Sequence, residues 1–394
     1  MTDHAPGSGI SQRLLLIMAV GAGLAVANIY YSQPLLANIG RAFNASPAAM
    51  GGIAMLTQLG VATGIVCLVP LGDIRERRQL IIVLLVGASV SLIAVALAPS
   101  YLWLGVASFS VGVSSATPQM LVPFAAHLAT PERRGQAVGT VMSGLLIGIL
   151  LSRVASGYVG TLLGWRAMYW IASLMMVILA IVLATTLPRS QPTSRLTYPR
   201  LMQSLGRLIL TEPVLRESAI VGSMLFGAFC VFWATLAFHL EAPPLFYGSR
   251  VAGLFGLIGA VGAAIAPLAG RLADRLNARA NLRVAVYGAA AAFGLLWIFG
   301  HTIAGLLVGV ILLDAGVQGG HVINQSRIHT LRPEVRNRLN TIYIFAFFLG
   351  GSAGSALGAA AWQRWQWSGV SVVGLGMLLL AGATLATPAP PEQG

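Results

Sequence analysis

The sequence contains no lysine, and its 394 residues hold only 11 acidic side chains against 24 arginines, so that just 9% of the chain is charged. That is too little polar surface to solvate a soluble globule, which excludes a cytosolic enzyme or a soluble binding domain. There are two cysteines, Cys67 and Cys230, both inside apolar runs and without disulfide or metal-site spacing, and they read as packing residues. The chain has no His-Glu-x-x-His pair, no nucleophile beside a base and no pair of deep aspartates, which argues against an intramembrane protease or another membrane enzyme. It also lacks a phosphate-binding P-loop, so ATP coupling is not expected, and no cofactor or metal is implied. Strict alternation of apolar and polar residues, the mark of a transmembrane β-barrel, is missing too.

What the chain does have is apolar residues, 57% of the total, giving a mean hydropathy of +0.81. A bilayer-spanning helix takes about 20 of them. Charges and prolines divide the sequence into twelve segments, approximately 13–37, 48–71, 79–98, 101–128, 137–161, 167–187, 214–240, 250–272, 281–299, 303–329, 338–362 and 367–387. The expected fold is an all-α membrane protein with twelve transmembrane helices and no large soluble domain. No small-residue cleavage site closes the first apolar run, so it reads as a retained helix and not as a removable signal.

Arginine placement sets the expected orientation. Nineteen of the 24 fall in the N-terminal stub and at or near the connections after even-numbered segments; Arg41, Arg166, Arg250 and Arg364 lie on the other side, and Arg153 alone falls deep within a segment. The arginine-rich side is the cytoplasmic one, which puts both termini inside a bacterial inner membrane. The net charge of +13 then reflects topology and attraction to anionic lipid, and requires no nucleic acid.

The chain repeats itself. "VPLGDIRERRQL" follows segment 2 and "GRLADRLNARANL" follows segment 8, with Asp73 and Asp274 separated by 201 residues. Pro131 and Pro333 are separated by 202 residues, as are Trp165 and Trp367. Two six-helix halves are implied, 1–187 and 214–394, joined by a cytoplasmic linker, 188–213, whose Pro188, Pro192, Pro199 and Pro213 read as helix breakers. Duplicated halves of this kind build transporters with a midplane substrate site.

On these residues the chain resembles the major facilitator superfamily over essentially its whole length. The loop signature of that superfamily, G-x-L-a-D-r-x-G-r-[RK], is matched in the second half by Gly270, Leu272, Ala273, Asp274, Arg275 and Arg279, and in the first by Leu71, Asp73, Arg77 and Arg78. The resemblance implies that Asp73 docks against the cytoplasmic start of segment 11, where a carboxylate gains from the helix N-terminus. In that reading Asp73, Arg77, Arg78, Arg134, Asp274 and Arg275 form a latch on the outward-facing state. "NIYYSQPLL" (28–36) resembles a group of twelve-helix bacterial efflux carriers. Proton-coupled drug antiporters carry G-x8-G-x3-G-P-x2-G on helix 5; Gly135, Gly144 and Gly148 match it, while Ile149 and Ser152 depart from it. With Gly350, Gly354 and Gly358 on segment 11, these glycines are expected to pack the halves together.

Asp314 is the one acid deep inside a segment, and Asp314, Gln318, His321 and Gln325 form one polar stripe on segment 10. Such a stripe faces a cavity or the opposite half, since facing lipid costs too much. Measured from the outer ends of their helices, Arg153 is about 8 residues deep and Asp314 about 11, similar levels at 1.5 Å per residue. The two are expected to pair, either as a permanent structural bridge or as a switchable one in which Asp314 takes up the proton; the alternative is two charges each solvated separately. His321 is a second proton-handling candidate, or else a neutral histidine bonding to substrate or water. Asn28, Tyr31, Gln119, Gln318, Asn324, Gln325 and Trp233 are the candidate substrate contacts. The expected function is secondary transport by a monomer, with a small drug or metabolite and protons as its partners, exported by proton antiport. The alternative is a facilitator or symporter for a sugar-like or nucleoside-like solute.

Overall fold

The computed structural model describes residues 10–190, 197–259 and 277–388, which form helices and turns with no β-strand among them. Twelve helices follow the twelve expected segments. α1 is Gln12–Tyr30, continued through a 3-10 turn (Gln33–Leu35) by Leu36–Ala42. α2 is Pro47–Leu68, with one further helical turn at Leu71–Ile74. α3 is Arg77–Ala96, and α4 is Tyr101–Ser114 followed by Thr117–Leu128. α5 is Arg134–Leu162, α6 is Trp165–Thr186 and α7 is Pro213–Glu241. α8 is described over Ser249–Gly259, α9 is Ala278–Phe299 and α10 is Ile303–Leu331. The run Arg336–Ala386 is divided at Gln366 (φ 51, ψ −143) into α11 and α12.

Local chemistry starts and bends these helices. Ser11, Ser46, Ser100, Asn277 and Thr302 cap their helices by accepting a backbone N–H with the side chain. Pro34 lacks an N–H and breaks α1 near its C-terminal end, and Pro118 restarts α4 after a break at Ser115. The linker differs from expectation. Tyr198–Thr211 is a helix, with Pro199 in its first turn, and Pro213 likewise opens α7. Proline costs nothing there, because first-turn N–H groups have no intrahelical partner. Leu201, Leu205 and Leu208 form the buried face of this linker helix, while Leu210 is exposed.

The repeat seen in the sequence recurs in the backbone. The turn before α6 contains Gly164 at φ 83, and the turn before α12 contains Gln366 at φ 51. The turn after α1 contains Asn44 at φ 50, and the one after α7 contains Phe246 at φ 53. Each member is displaced from its counterpart by the same 202 residues that separate Trp165 from Trp367. Two apolar cores follow the same division. One is drawn almost wholly from α1–α6, the other mainly from the linker helix and α7–α12.

Gly144 and Gly148 of α5 do not pack one half against the other. A Cβ on Gly144 would lie 2.2 Å from the Ala19 carbonyl oxygen, and one on Gly148 2.2 Å from that of Gly23, so α5 rests on α1 of its own half. Gly350 and Gly354 meet Ser223 and Gly227 in the same way, seating α11 on α7. The reason is the pseudo-symmetry: equivalent helices keep equivalent neighbours, and small residues let each pair approach closely.

Contacts between the halves run along α2 with α11 and along α5 with α8. At the end opposite the arginine-rich side, Arg41 pairs with Glu241, Asn38 Nδ2 donates to Ser249 Oγ at 3.2 Å, and the backbone N–H of Ala48 donates to Gln363 at 3.1 Å. Arg250 stacks on Tyr158 at 4.6 Å in the same region.

Candidate functional site

Midway along α5, Arg153 is buried at 1% exposure. Its guanidinium lies over Trp233 at 3.9 Å from the ring centroid, over Tyr30 at 4.9 Å and over Phe229 at 5.6 Å. The negative ring faces stabilise a cation there, by about 2 kcal/mol when water is excluded. Arg153 Nε donates to Gln33 Oε1 at 2.8 Å. Gln33 can reach because the Pro34 break turns the outer part of α1. Arg153 Nη2 and the Trp233 indole Nε1 are both buried and have no acceptor among the described residues.

Asp314, on α10, is 3% exposed, and its Oδ2 has no donor among the described residues. It forms no ion pair with Arg153, which corrects the expected bridge. The two remain within electrostatic range of one another. Depth along a helix places two groups at one level but does not fix their lateral separation. The Trp233 ring takes the place beside Arg153, and α8 passes close to both charges. A Cβ on Gly256 would lie 2.8 Å from Arg153 Cβ; one on Gly259 would lie 3.0 Å from Asp314 Oδ2 and 3.3 Å from Trp233 Cζ2. An alanine at 256 would force α5 and α8 apart at Arg153, and one at 259 would require the Asp314 carboxylate to give by a few tenths of an ångström.

The remaining candidates divide into two groups. His321 Nδ1 is 3.0 Å from the Tyr343 hydroxyl, near which Asn324 also lies, and Gln325 Nε2 donates to Asn340 at 3.3 Å. This lower part of the polar stripe thus packs on α11 of its own half, and His321 stands apart from Arg153. Gln318 and Gln119 are half-buried. Asn28 Nδ2 contacts Met176 Sδ at 3.1 Å, on the α6 side of α1, and Tyr31 belongs to the first-half core. The side chains of α1 that reach Arg153 are Tyr30 and Gln33, which the sequence did not single out as contacts. The one signal for them was the Gln33-Pro34 break.

The two halves are chemically unequal at this point. By the 202-residue offset, Arg153 corresponds to Ser355, Asp314 to Gly112 and Trp233 to Tyr31. The backbone frame is shared, since a Cβ on Gly253 meets the Arg153 carbonyl at 2.6 Å and one on Gly51 meets that of Ser355 at 2.9 Å. Only one of the two equivalent places carries charge.

At the arginine-rich end, Asp73 is hydrogen-bonded by the Asn337 side chain at the start of α11 and lies near Arg338. Arg77 pairs with Asp73 at 3.7 Å, and Arg78 donates to the Ala184 carbonyl at the end of α6. Arg134 is exposed at the start of α5. Asp274 and Arg275 lie outside the described residues. Unforeseen in the sequence, Glu217 of α7 is buried between Arg279 and Arg327, each at 2.7 Å.

Residues 18–330 match the family model described as Major Facilitator Superfamily. The chain is 40% identical to the uncharacterized transporter YgaY of Escherichia coli, covering 97% of this chain and 95% of that one. A probable transporter of Streptomyces coelicolor is 33% identical, over 97% of this chain and 89% of its own. Among solved structures, the fold is similar to that of a D-xylose-proton symporter, with a TM-score of 0.76, 16% identity, and coverage of 95% of this chain and 97% of that one. Twelve helices, a backbone repeated at a fixed offset and these full-length likenesses agree: the chain belongs to the Major Facilitator Superfamily and is a secondary transporter, not an enzyme.

Proposed function

We propose that this transporter moves a small organic solute across the bacterial inner membrane by alternating access, coupled to protons, with both termini on the cytoplasmic side. The observation that supports this best is the presence of two unlike charges, Arg153 and Asp314, buried between the halves without pairing. An unpaired charge at such depth costs several kcal/mol, and a site visited by a proton or a charged solute gives a reason to keep it. Asp314 is the proton carrier, because arginine does not give its proton up. The solute, a drug or metabolite, occupies the space around Arg153, Trp233 and Asp314. The α5 glycine pattern favours export in exchange for protons; the charge count around Arg153 favours co-transport, the second reading. The Asp73–Asn337 contact acts as the cytoplasmic latch and Arg41–Glu241 as its outer counterpart, released in turn.

The test is accumulation by proteoliposomes under an imposed pH gradient, with and without Asp314→Asn. The variant should lose pH-driven accumulation and keep substrate binding. Undiminished proton-driven transport in Asp314→Asn would refute the assignment.

A further inference from the structure

The space beside Arg153 is supplied with hydrogen-bond donors. Arg153 Nη2 and Trp233 Nε1 belong to side chains stacked 3.9 Å apart, are 1% and 2% exposed as residues, and neither has an acceptor among the described residues. In the indole, Cζ2 and Nε1 are both bonded to Cε2, so the edge of Trp233 that neighbours Gly259 and Asp314 is also its N–H edge. Two buried donors side by side, one charged and one neutral, match the two oxygens of a carboxylate. A cationic solute would meet the guanidinium already occupying the aromatic cage formed by Tyr30, Phe229 and Trp233.

Resting on the proton-coupled reading above in its co-transport form, we propose that the substrate is a small organic anion whose carboxylate binds Arg153 Nη2 and Trp233 Nε1, and that it binds together with a proton on Asp314. The reason is charge balance at low dielectric. With Asp314 ionised, Arg153 and Asp314 sum to zero, and adding an anion leaves one uncompensated negative charge. When the proton enters on Asp314 Oδ2, the loaded site is again neutral. The empty and fully loaded forms are therefore the two that cross most easily, and each half-loaded form carries a net charge. That makes the anion and the proton co-substrates. Among the described residues, the other ionisable groups in this cluster are Tyr30 on α1 and Cys230 on α7. α8 contributes Gly256 and Gly259.

The test uses the purified full chain in detergent and a matched panel: aliphatic and aromatic monocarboxylates, with the alcohol and the amine of each skeleton. Thermal stabilisation by at least one carboxylate is expected, strengthening as the pH falls, with the alcohol and amine inactive. Trp233→Phe keeps the stacking and removes the N–H, and should weaken that carboxylate about tenfold or more. Arg153→Lys should weaken it further. Carboxylate binding in weak buffer should take up protons, seen with a pH indicator, and Asp314→Asn should bind without uptake. Stabilisation by amines that strengthens as the pH rises would overturn the anion while leaving Asp314 as the proton site. Stabilisation by none of the carboxylates, or a Trp233→Phe variant that binds as well as the parent, would also overturn it.

Discussion

Replacing Gly253 by alanine tests whether the end opposite the arginine-rich side closes on backbone contact between α5 and α8. The new Cβ would lie 2.6 Å from the Arg153 carbonyl oxygen and 3.2 Å from Gly157 Cα, whereas ordinary contact begins at 3.4 Å. α8 must therefore retreat by about 0.8 Å or distort, and overpacking of this kind costs about 1–3 kcal/mol. The penalty applies only where the halves meet, so it should shift the closed-to-open ratio at that end by about 5- to 150-fold. Gly51→Ala should act alike through the repeat, its Cβ falling 2.2 Å from that of Ala359 and 2.9 Å from the Ser355 oxygen. Ser249→Cys, in a background lacking Cys67 and Cys230, gives the readout. Ser249 is 5% exposed and bonded to Asn38, so a membrane-impermeant maleimide should reach the new thiol only when that end opens. Labelling should accelerate with Gly253→Ala and Gly51→Ala. Gly148→Ala is the control, because its clash at 2.2 Å is with Gly23 of the same half. It should lower stability without exposing residue 249. If folded Gly253→Ala labels at the parent rate, or if Gly148→Ala accelerates labelling equally, the reasoning fails.

The Arg153→Met and Asp314→Asn double-mutant cycle, read by thermal stability in detergent, should give a coupling of about 1 kcal/mol, well short of the 3–5 kcal/mol lost when one member of a contacting buried pair is removed. A coupling above about 3 kcal/mol would mean that the two charges touch. Glu217→Gln strands Arg279 and Arg327 at the arginine-rich ends of α9 and α10, and should cost about 3–5 kcal/mol in the same assay; a change below about 1 kcal/mol would make the cluster a solvated one. Gln366→Gly should stabilise by about 1 kcal/mol, since its φ of 51 and ψ of −143 lie where glycine is nearly alone, and Gly164 already fills the equivalent turn. A loss of stability there would contradict the strain.

Asp314 and Arg153 stood out in the sequence because charge inside an apolar run is a local fact. Their relation was not legible. Counting residues gives depth along a helix axis, whereas contact depends on where neighbouring helices place their axes and which side chains turn between them. Tyr30 and Gln33 were missed for the same reason: Tyr31, one residue on, is an equally polar choice, and 100° of helix rotation decides between them. Glu217 read as a charge near a helix end until α9 and α10 brought Arg279 and Arg327 to it.

The sequence by itself determined the membrane, the twelve helices and the twofold repeat, because bilayer solvation, helix length and turn chemistry act over one to twenty residues. Even the positive-φ turns keep the interval already visible between Trp165 and Trp367. Only the tertiary structure decided that Gly144 and Gly148 seat α5 on α1, that α8 approaches Arg153 and Asp314 through Gly256 and Gly259, and that Trp233 is the ring beside the arginine. Those outcomes rest on contacts between residues 55 or more positions apart in the chain. Their geometry is fixed by close packing of whole helices, which no window of sequence contains.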